Sequence, residues 1–338
     1  MTNGYFLLRE QGWDSWRVPT AIAHLSGNDI AGIRAEPVVD CRKVTMGLMT
    51  QYKQTRVQIL TELNSESSPR GDKYHAAWFL SNGFSGSGRC LNWRGGISQW
   101  QQMNNQGFRD YLSLRLLNFP IIPFNANDTL ICGCARQGDV SGHPTHALDC
   151  SANHGLNIQR HDAVARELKR LILNTMPGYQ VKEKTVVDHS PNQADIVADL
   201  IAWNGTSSRY IFDVTITDPG CKSNWRIHKT AQNEDAGAVA RERSKQQKYR
   251  RVKDLCVDPR VLEDEHLGKP LKFIPFAIEA TGRLGPIARK FLSFICMDPA
   301  YNHFRAQFLN SVGAIIAKYN SIMITRCREG VKNFTSPQ

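Results

Sequence analysis

The chain has 338 residues, of which 41% are hydrophobic and 22% are charged, and this composition excludes a disordered protein. Its formal net charge of +11 favours a polyanionic partner, such as nucleic acid or an acidic membrane surface, over a neutral small molecule. The nine scattered cysteines suit metal binding in a reducing compartment better than a disulfide scaffold.

Neither a secreted protein nor a membrane-spanning protein is expected. The first 16 residues lack a basic leader and a long apolar core, so they do not predict a signal peptide. No window reaches the roughly 18 apolar residues that a membrane span needs. We therefore expect an intracellular protein, located in the nucleus, that binds nucleic acid and has no association with a membrane.

The first 130 residues predict a mostly helical region. Apolar residues from Lys43 to about Asn64 recur at mostly helical spacing, and residues 97–103 and 107–117 give two more helical segments. Residues 65–71 and 81–88 are rich in serine and glycine, which is typical of linkers.

Cysteine and histidine residues crowd together between residues 131 and 155. Four of them have the paired short spacings of zinc ligands: Cys132, Cys134, His146 and Cys150. Such a set can close a tetrahedron around Zn²⁺, and we expect this zinc to be structural. His143 and His154 lie nearby and are alternatives to His146 as the fourth ligand.

Residues 156–300 predict an α/β domain with the order helix, three strands, helix, strand, helix. The predicted segments are, in chain order, a helix at 158–174, strands at 179–187, 194–203 and 209–217, a very basic helix at 234–254, a strand at 272–280 and a helix at 286–294. Residues 204–208 form a turn cluster between two strands and predict a hairpin. Residues 301–338 are expected to form a helical tail.

Two carboxylates lie in apolar strand-like segments, where a buried charge is costly unless a partner, a metal or catalysis requires it. Asp195 opens one strand of the hairpin and Asp213 lies in the middle of the next. If the hairpin turns at residues 204 and 205, they come close to opposite each other. Their mutual repulsion would be relieved by a divalent cation, Mg²⁺ or Mn²⁺, which can promote hydrolysis of a phosphodiester.

A lysine usually completes such a site by orienting the attacking water or neutralising the transition state. Thr215 stands two residues after Asp213, where that lysine would be expected. Lys245 and Lys248 on the basic helix are the substitutes, and either Arg160 or Glu183 is a candidate to complete the metal or phosphate shell. A structural interpretation stays open, in which Asp195 caps a strand, Asp213 pairs with Arg160, and the basic helix is a solvated face.

The order of these motifs resembles the carboxy-terminal region of non-LTR retrotransposon proteins that carry a restriction-like endonuclease, here as an orphan or truncated reading frame. The resemblance covers roughly residues 108–292. It implies a PD-(D/E)XK nuclease fold, with an α-β-β-β-α-β core, and divalent-metal cleavage of DNA beside a zinc knuckle that contacts nucleic acid. Asp195 and Asp213 match the metal-binding acids, Lys245 and Lys248 the displaced lysines, Arg160 the helix arginine.

The sequence departs from the family pattern in two places. Ala194 stands where proline usually precedes the first aspartate, and no Tyr-x-Asp-Asp motif occurs, so a reverse transcriptase palm is absent. Three functions are compared: an active endonuclease, a nucleic-acid-binding remnant that no longer cuts, and a structural intracellular protein. We expect four segments: a mostly helical region at residues 1–130, a zinc knuckle at 131–155, a nuclease domain at 156–300 and a helical tail at 301–338.

Overall fold

In the structure, a computed structural model, the chain folds into two units, Met1–Gly71 and Asp72–Gln338. The structure describes residues 73–82, 129–132, 134, 145–190, 193–204, 209–221, 224, 228–250, 252, 255–256, 271–329 and 331–334, with isolated positions between 54 and 111. The first unit is described only at five helical positions between 54 and 61. The expected boundaries at residues 130, 155 and 300 all fall inside the second unit.

The described residues of the second unit include helices α1 to α6 and strands β1 to β7. Their bounds are α1 Lys73–Asn82, β1 Thr129–Cys132, α2 His146–Asp149, α3 His154–Thr175, β2 Gln180–Ser190, β3 Gln193–Trp203, β4 Arg209–Thr217, α4 Ala236–Tyr249, β5 Leu255–Cys256, β6 Leu271–Glu279, α5 Pro286–Ile295, α6 Asn302–Glu329 and β7 Val331–Phe334. Short 3-10 turns occur at Ser151–Asn153 and Pro299–Tyr301.

The main sheet is mixed and has the strand order β2-β3-β4-β6-β5. Strands β2, β3 and β4 are antiparallel neighbours, whereas β4 and β6 are parallel, so the connection between those two passes through α4. The predicted α/β order is confirmed. β1 and β7 form a separate antiparallel pair, which joins residues 129–132 to residues 331–334.

Alternation along β4 sends its side chains to two different layers. Phe212 and Val214 pack in the main core with α3, α5 and α6, while Ile211 packs on the opposite face against Tyr249 of α4. Asp213 shares that second face, which places a charged residue under α4.

The predicted helix and strand bounds agree with the structure to within a few residues for most elements from α3 to α5. The basic helix is shorter than predicted, since it spans Ala236–Tyr249 and not residues 234–254. The apolar stripe predicted on α3 is confirmed, because Val164, Leu168 and Ile172 are all fully buried. The predicted helix at 97–103 lies outside the described residues, and those at 43–64 and 107–117 are described only at scattered helical positions.

Helix α1, which the sequence pattern does not predict, belongs to the second unit. The indole Nε1 of Trp78 donates a hydrogen bond of 2.9 Å to Asp218 at the end of β4, and Ser81 donates to Glu279 at the end of β6. The guanidinium of Arg283 donates to the Leu80 carbonyl at 2.8 Å. Among the described residues, every helix is too short or too polar to cross a lipid bilayer.

Glu242 ties α4 to α5. Its Oε1 accepts hydrogen bonds from the backbone amides of Ile287 at 2.9 Å and Ala288 at 3.4 Å, which are otherwise unpaired donors in the first turn of α5. Gly285 leaves room for this contact, because a Cβ there would displace the Glu242 carboxyl group from its position. Burial raises the pKa of Glu242 to about 7.

Glu242→Gln retains an acceptor for the α5 amides and removes the buried charge. Because the folded pKa of Glu242 lies above its ordinary 4.5, ionisation destabilises the folded chain as the pH rises from 4.5 to about 7. We expect the variant to match wild type near pH 4 and to exceed its unfolding free energy near pH 8 by on the order of 1–3 kcal/mol. Urea unfolding at both pH values measures this, and an equal difference at the two would contradict it.

Candidate functional site

Cys132, Cys134, His146 and Cys150 form the metal cluster. Cys132 ends β1, while His146 begins α2 and Cys150 directly follows it, so one helical turn separates the last two donors. One ligand atom from each of the four residues lies within 4.8 Å of the others, and all four residues are buried. Within the described part of the chain, no other set of three or more His, Cys, Asp or Glu side chains converges in this way.

The distances between donor atoms fit Zn²⁺. Cys132 Sγ and Cys150 Sγ are 3.6 Å apart, and Cys134 Sγ lies 3.5 Å from His146 Nε2. Zinc–sulfur bonds of about 2.3 Å in a tetrahedron require sulfur atoms roughly 3.7 Å apart. The set is therefore able to hold a structural zinc. His146 is the histidine in this group, whereas His154 is exposed at the start of α3 and His143 lies outside the described residues.

Burial makes these thiols weak acids without a metal. It raises the pKa of Cys132 to about 11 and that of Cys150 to about 12. Because zinc binds thiolates, metal binding releases the protons of the cysteine thiols. The free energy of metal binding then adds to the stability of the folded chain.

Asp213, the second predicted acid, is only 3% exposed. Its Oδ1 lies 2.6 Å from the Lys245 ammonium, and its Oδ2 lies 3.5 Å from that of Lys248. The structure thus brings these three predicted residues together across β4 and α4, because lysines three residues apart share one helix face. The alternative ion pair between Asp213 and Arg160 is not among the described contacts.

The strand register places Asp199, and not Asp195, level with Asp213. The β3–β4 ladder pairs Leu200 with Phe212 and continues to the turn, so the next residues along are Asp199 and Asp213. Asp199 Oδ2 accepts a 2.7 Å hydrogen bond from the Val214 amide. The expected pairing of Asp195 with Asp213 is therefore corrected. Asp195 lies in β3 four residues before Asp199, and its side chain lies outside the described residues.

Sequence reasoning misses Asp199, although a signal for it exists. Asp199 and Asp213 lie equally far from the centre of the turn cluster at residue 206, which is the symmetry that a two-stranded hairpin imposes. Asp199 is also a charge inside an apolar strand, as Asp195 is.

His161 and Lys184 contact Asp199, and Asp162 contacts both of these side chains; the sequence pattern does not indicate any of the three as site residues. His161 Nε2 lies 2.9 Å from Asp199 Oδ2 and 3.0 Å from the Val214 carbonyl, while His161 Nδ1 lies 3.0 Å from Asp162 Oδ1. The Lys184 ammonium bridges Asp199 at 2.8 Å and Asp162 at 3.0 Å. Since both imidazole nitrogens face acceptors, His161 satisfies them only as a doubly protonated cation.

The pKa values of the pair agree with that charge state. Burial opposes ionisation of Asp199, but its hydrogen bonds and attraction to His161 and Lys184 outweigh burial and lower its pKa to about 2. Burial likewise opposes the His161 cation, and Asp199 outweighs it, so the pKa of His161 is raised above its ordinary 6.5.

A cleft of about 560 Å³ opens beside these residues. Its walls come from α2, α3, β2, β4 and α4, and they carry both charges: Leu148, Asp149, Asn157, Ile158, Arg160, His161, Asp162, Lys184, Val214, Thr215, Ile216, Asp218 and Lys245. The metal cluster borders this cleft, because Leu148 and Asp149 belong to α2 between two of its ligands.

Arg160 and Glu183, the remaining predicted site residues, have different positions. Arg160 lines the cleft but is buried, and it donates to Asn320 at 2.6 Å and to Asn157 at 2.8 Å. Burial lowers the pKa of Arg160 to about 10. Glu183 is exposed on β2 and pairs with Lys169 of α3 at 2.6 Å. Like Asp199 and Asp213, it is not among the residues that line the cleft.

No protein-family model and no curated protein matches this chain. What the structure establishes is an α/β core with a mixed sheet, preceded by a buried cluster of three cysteines and one histidine that is able to bind metal.

We expect the purified chain to carry about one equivalent of zinc. Cys150→Ser should lose it and unfold more readily, because three remaining ligands hold a structural zinc poorly and its binding energy is part of the folding energy. Zinc content by atomic emission and thermal unfolding measure the two effects. Cys296→Ser, at a buried cysteine of the main core, is the control, and equal zinc loss there would contradict a specific site.

Proposed function

We propose that the chain is a divalent-metal-dependent endonuclease that hydrolyses phosphodiester bonds in DNA, with the PD-(D/E)XK fold of the non-LTR retrotransposon nucleases it resembles. The observation that carries the proposal is the buried Asp213 carboxylate, which contacts two lysines of α4 and lies level with Asp199 of the neighbouring strand.

The chain topology supports the proposed fold. The elements α3, β2, β3, β4, α4 and β6 have the α-β-β-β-α-β order that the resemblance implies, with the two-residue strand β5 inserted between α4 and β6. The two acids stand on adjacent strands, each one residue beyond the ladder pair Leu200 and Phe212. Asp199 contacts His161 of α3 and Lys184 of β2, whereas Asp213 contacts α4.

Carboxylate oxygens from adjacent strands are the donors that Mg²⁺ or Mn²⁺ prefers, so Asp199 and Asp213 fit such an ion chemically. When bound, the ion supplies charge stabilisation at a phosphate oxygen and a more acidic water. The chain itself contributes orientation. The Val214 amide and His161 hold Asp199 Oδ2 in one position, which pre-organises the acid.

Lys245 and Lys248 differ in where they can act. The Lys245 side chain is 25% exposed and lines the cleft, whereas the Lys248 side chain is 43% exposed and lies over the Tyr249 ring at 5.3 Å. A cation facing the cleft is placed to contact the scissile phosphate and stabilise its developing charge. We assign that role to Lys245 and a DNA-binding role to Lys248.

The charge of the chain supports DNA as the substrate. In addition to the +11 net charge of the chain, α4 and its carboxy-terminal end expose four basic side chains, namely Arg241, Arg243, Lys248 and Arg250. Cations at this density attract the phosphate backbone and give an affinity that falls with salt.

One observation favours the second candidate, a nucleic-acid-binding remnant without cleavage activity. Each oxygen of Asp199 and Asp213 already contacts a lysine, the histidine or a backbone amide, so the acids are neutralised without a metal. Thr215 also stands where a lysine is usual. In such a remnant, the cationic groups would still bind DNA.

Asp213→Asn and Asp199→Asn should each reduce nicking of supercoiled plasmid by at least about 100-fold with Mg²⁺ or Mn²⁺, because the metal loses a charged ligand. Glu183→Gln is the matched control, an exposed acid on the same sheet, and should cut like wild type. Asp195→Asn, in the same assay, tests the acid that the sequence resemblance indicates.

Two results would decide between the candidates. Wild-type chain that binds plasmid but does not nick it with either metal supports the remnant. Nicking that persists in Asp213→Asn would show that the activity comes from elsewhere and would end the proposal.

Lys245→Ala and Lys248→Ala should affect different steps, namely cleavage and DNA binding. We expect Lys245→Ala to lower kcat by about 10²- to 10³-fold with little change in DNA affinity. Lys248→Ala should mainly weaken binding and reduce the salt dependence by about one phosphate contact. Single-turnover cleavage and salt-dependent binding measure these, with Lys290→Ala on the exposed face of α5 as control. The opposite pattern would reverse the assignment.

A further inference from the structure

A fifth cysteine lies against the metal cluster. Cys327, near the end of α6, is 3% exposed, and its Sγ lies 3.7 Å from Cys132 Sγ. It is not one of the four donors that lie within 4.8 Å of one another, so it borders the tetrahedron without being a corner of it.

The chemistry of the pair fixes the direction of the hydrogen bond. A zinc-bound cysteine is a thiolate, which only accepts, so Cys327 must donate its S–H to Cys132. Met323 and Ile324 surround the cluster together with Ala147 and Leu148, and this apolar setting strengthens a weak donor.

Other contacts join the same helix to the cluster. The side-chain amide of Asn153 donates to the Ala147 carbonyl in α2 at 2.8 Å and to the Met323 carbonyl in α6 at 3.1 Å. Strand β7 follows α6 directly and pairs Val331 with Cys132 in β1. The cluster is thus enclosed by the carboxy-terminal segment, which the zinc knuckle expected at residues 131–155 does not include.

We propose that Cys327 is an outer-shell residue of the metal cluster, whose thiol donates a hydrogen bond to the Cys132 thiolate and thereby couples metal retention to α6. Hydrogen bonds to metal ligands orient them and reduce their charge, and their loss typically weakens metal binding. This proposal stands independently of DNA cleavage, because it concerns only the cluster and α6.

The test compares three substitutions in the full-length, zinc-loaded chain. Cys327→Ser keeps a donor, Cys327→Val fills the space without a donor, and Cys327→Ala removes both. Zinc transfer to a chromogenic chelator gives the release rate, and circular dichroism checks that each variant is folded. We expect Val and Ala to release zinc roughly tenfold faster than wild type, with Ser much closer to wild type.

Cys296→Ala is the control, since Cys296 is also a buried cysteine but packs in the main core. Wild-type release from all three Cys327 variants would overturn the proposal. So would fast release from Ala alone, because that pattern reflects packing and not the hydrogen bond.

A second measurement covers variants that do not fold. The S–H stretch of Cys327 in the wild-type chain, assigned by infrared difference against Cys327→Ser or by selective labelling, should shift to lower frequency when zinc is bound. An unchanged frequency between the zinc-free and zinc-bound chain would overturn the proposed bond.

Discussion

The cost of placing the Asp213 carboxylate under a helix determines how the centre of this molecule is arranged. A charge removed from water inside a sheet must be matched by nearby cations. Lys245 and Lys248 provide them, and this requires α4 to lie across β4 with one particular face inward. Glu242 on the same helix holds the start of α5, so the position of α4 is fixed from two sides. An arrangement that only stabilises the fold would be better served by an apolar residue in place of Asp213.

The requirement that a buried acid be matched by cations applies to Asp199 as well, beside the cleft that the metal cluster borders. Asp199 remains ionised because His161, Lys184 and the Val214 amide all contact it. One wall of the cleft includes α2, a helix of one turn that is too short to be stable alone. Its two flanking ligands give metal the means to hold it. The acidic pair and the cluster therefore have separate chemistry but a common boundary.

Local sequence patterns predict most of the α/β core and the members of the metal cluster. The strand Arg209–Thr217 and the helix beginning at Pro286 follow from alternation and from proline at a helix start, which act over a few residues. The register of the hairpin is not local, and so the pattern selects Asp195 while the ladder selects Asp199. The same limit applies to α1, whose Trp78 contacts Asp218 across 140 residues of sequence. No periodicity encodes such a contact.

The pairing of β1 with β7 has a consequence for synthesis of the chain. Cys132 and Cys327 are separated by 195 residues, so the strand pair and the enclosing helix form only after the chain has been made as far as β7. Contacts of such high sequence separation form slowly. Until then the thiols of Cys132, Cys134 and Cys150 lack the cover that α6 gives them in the folded chain.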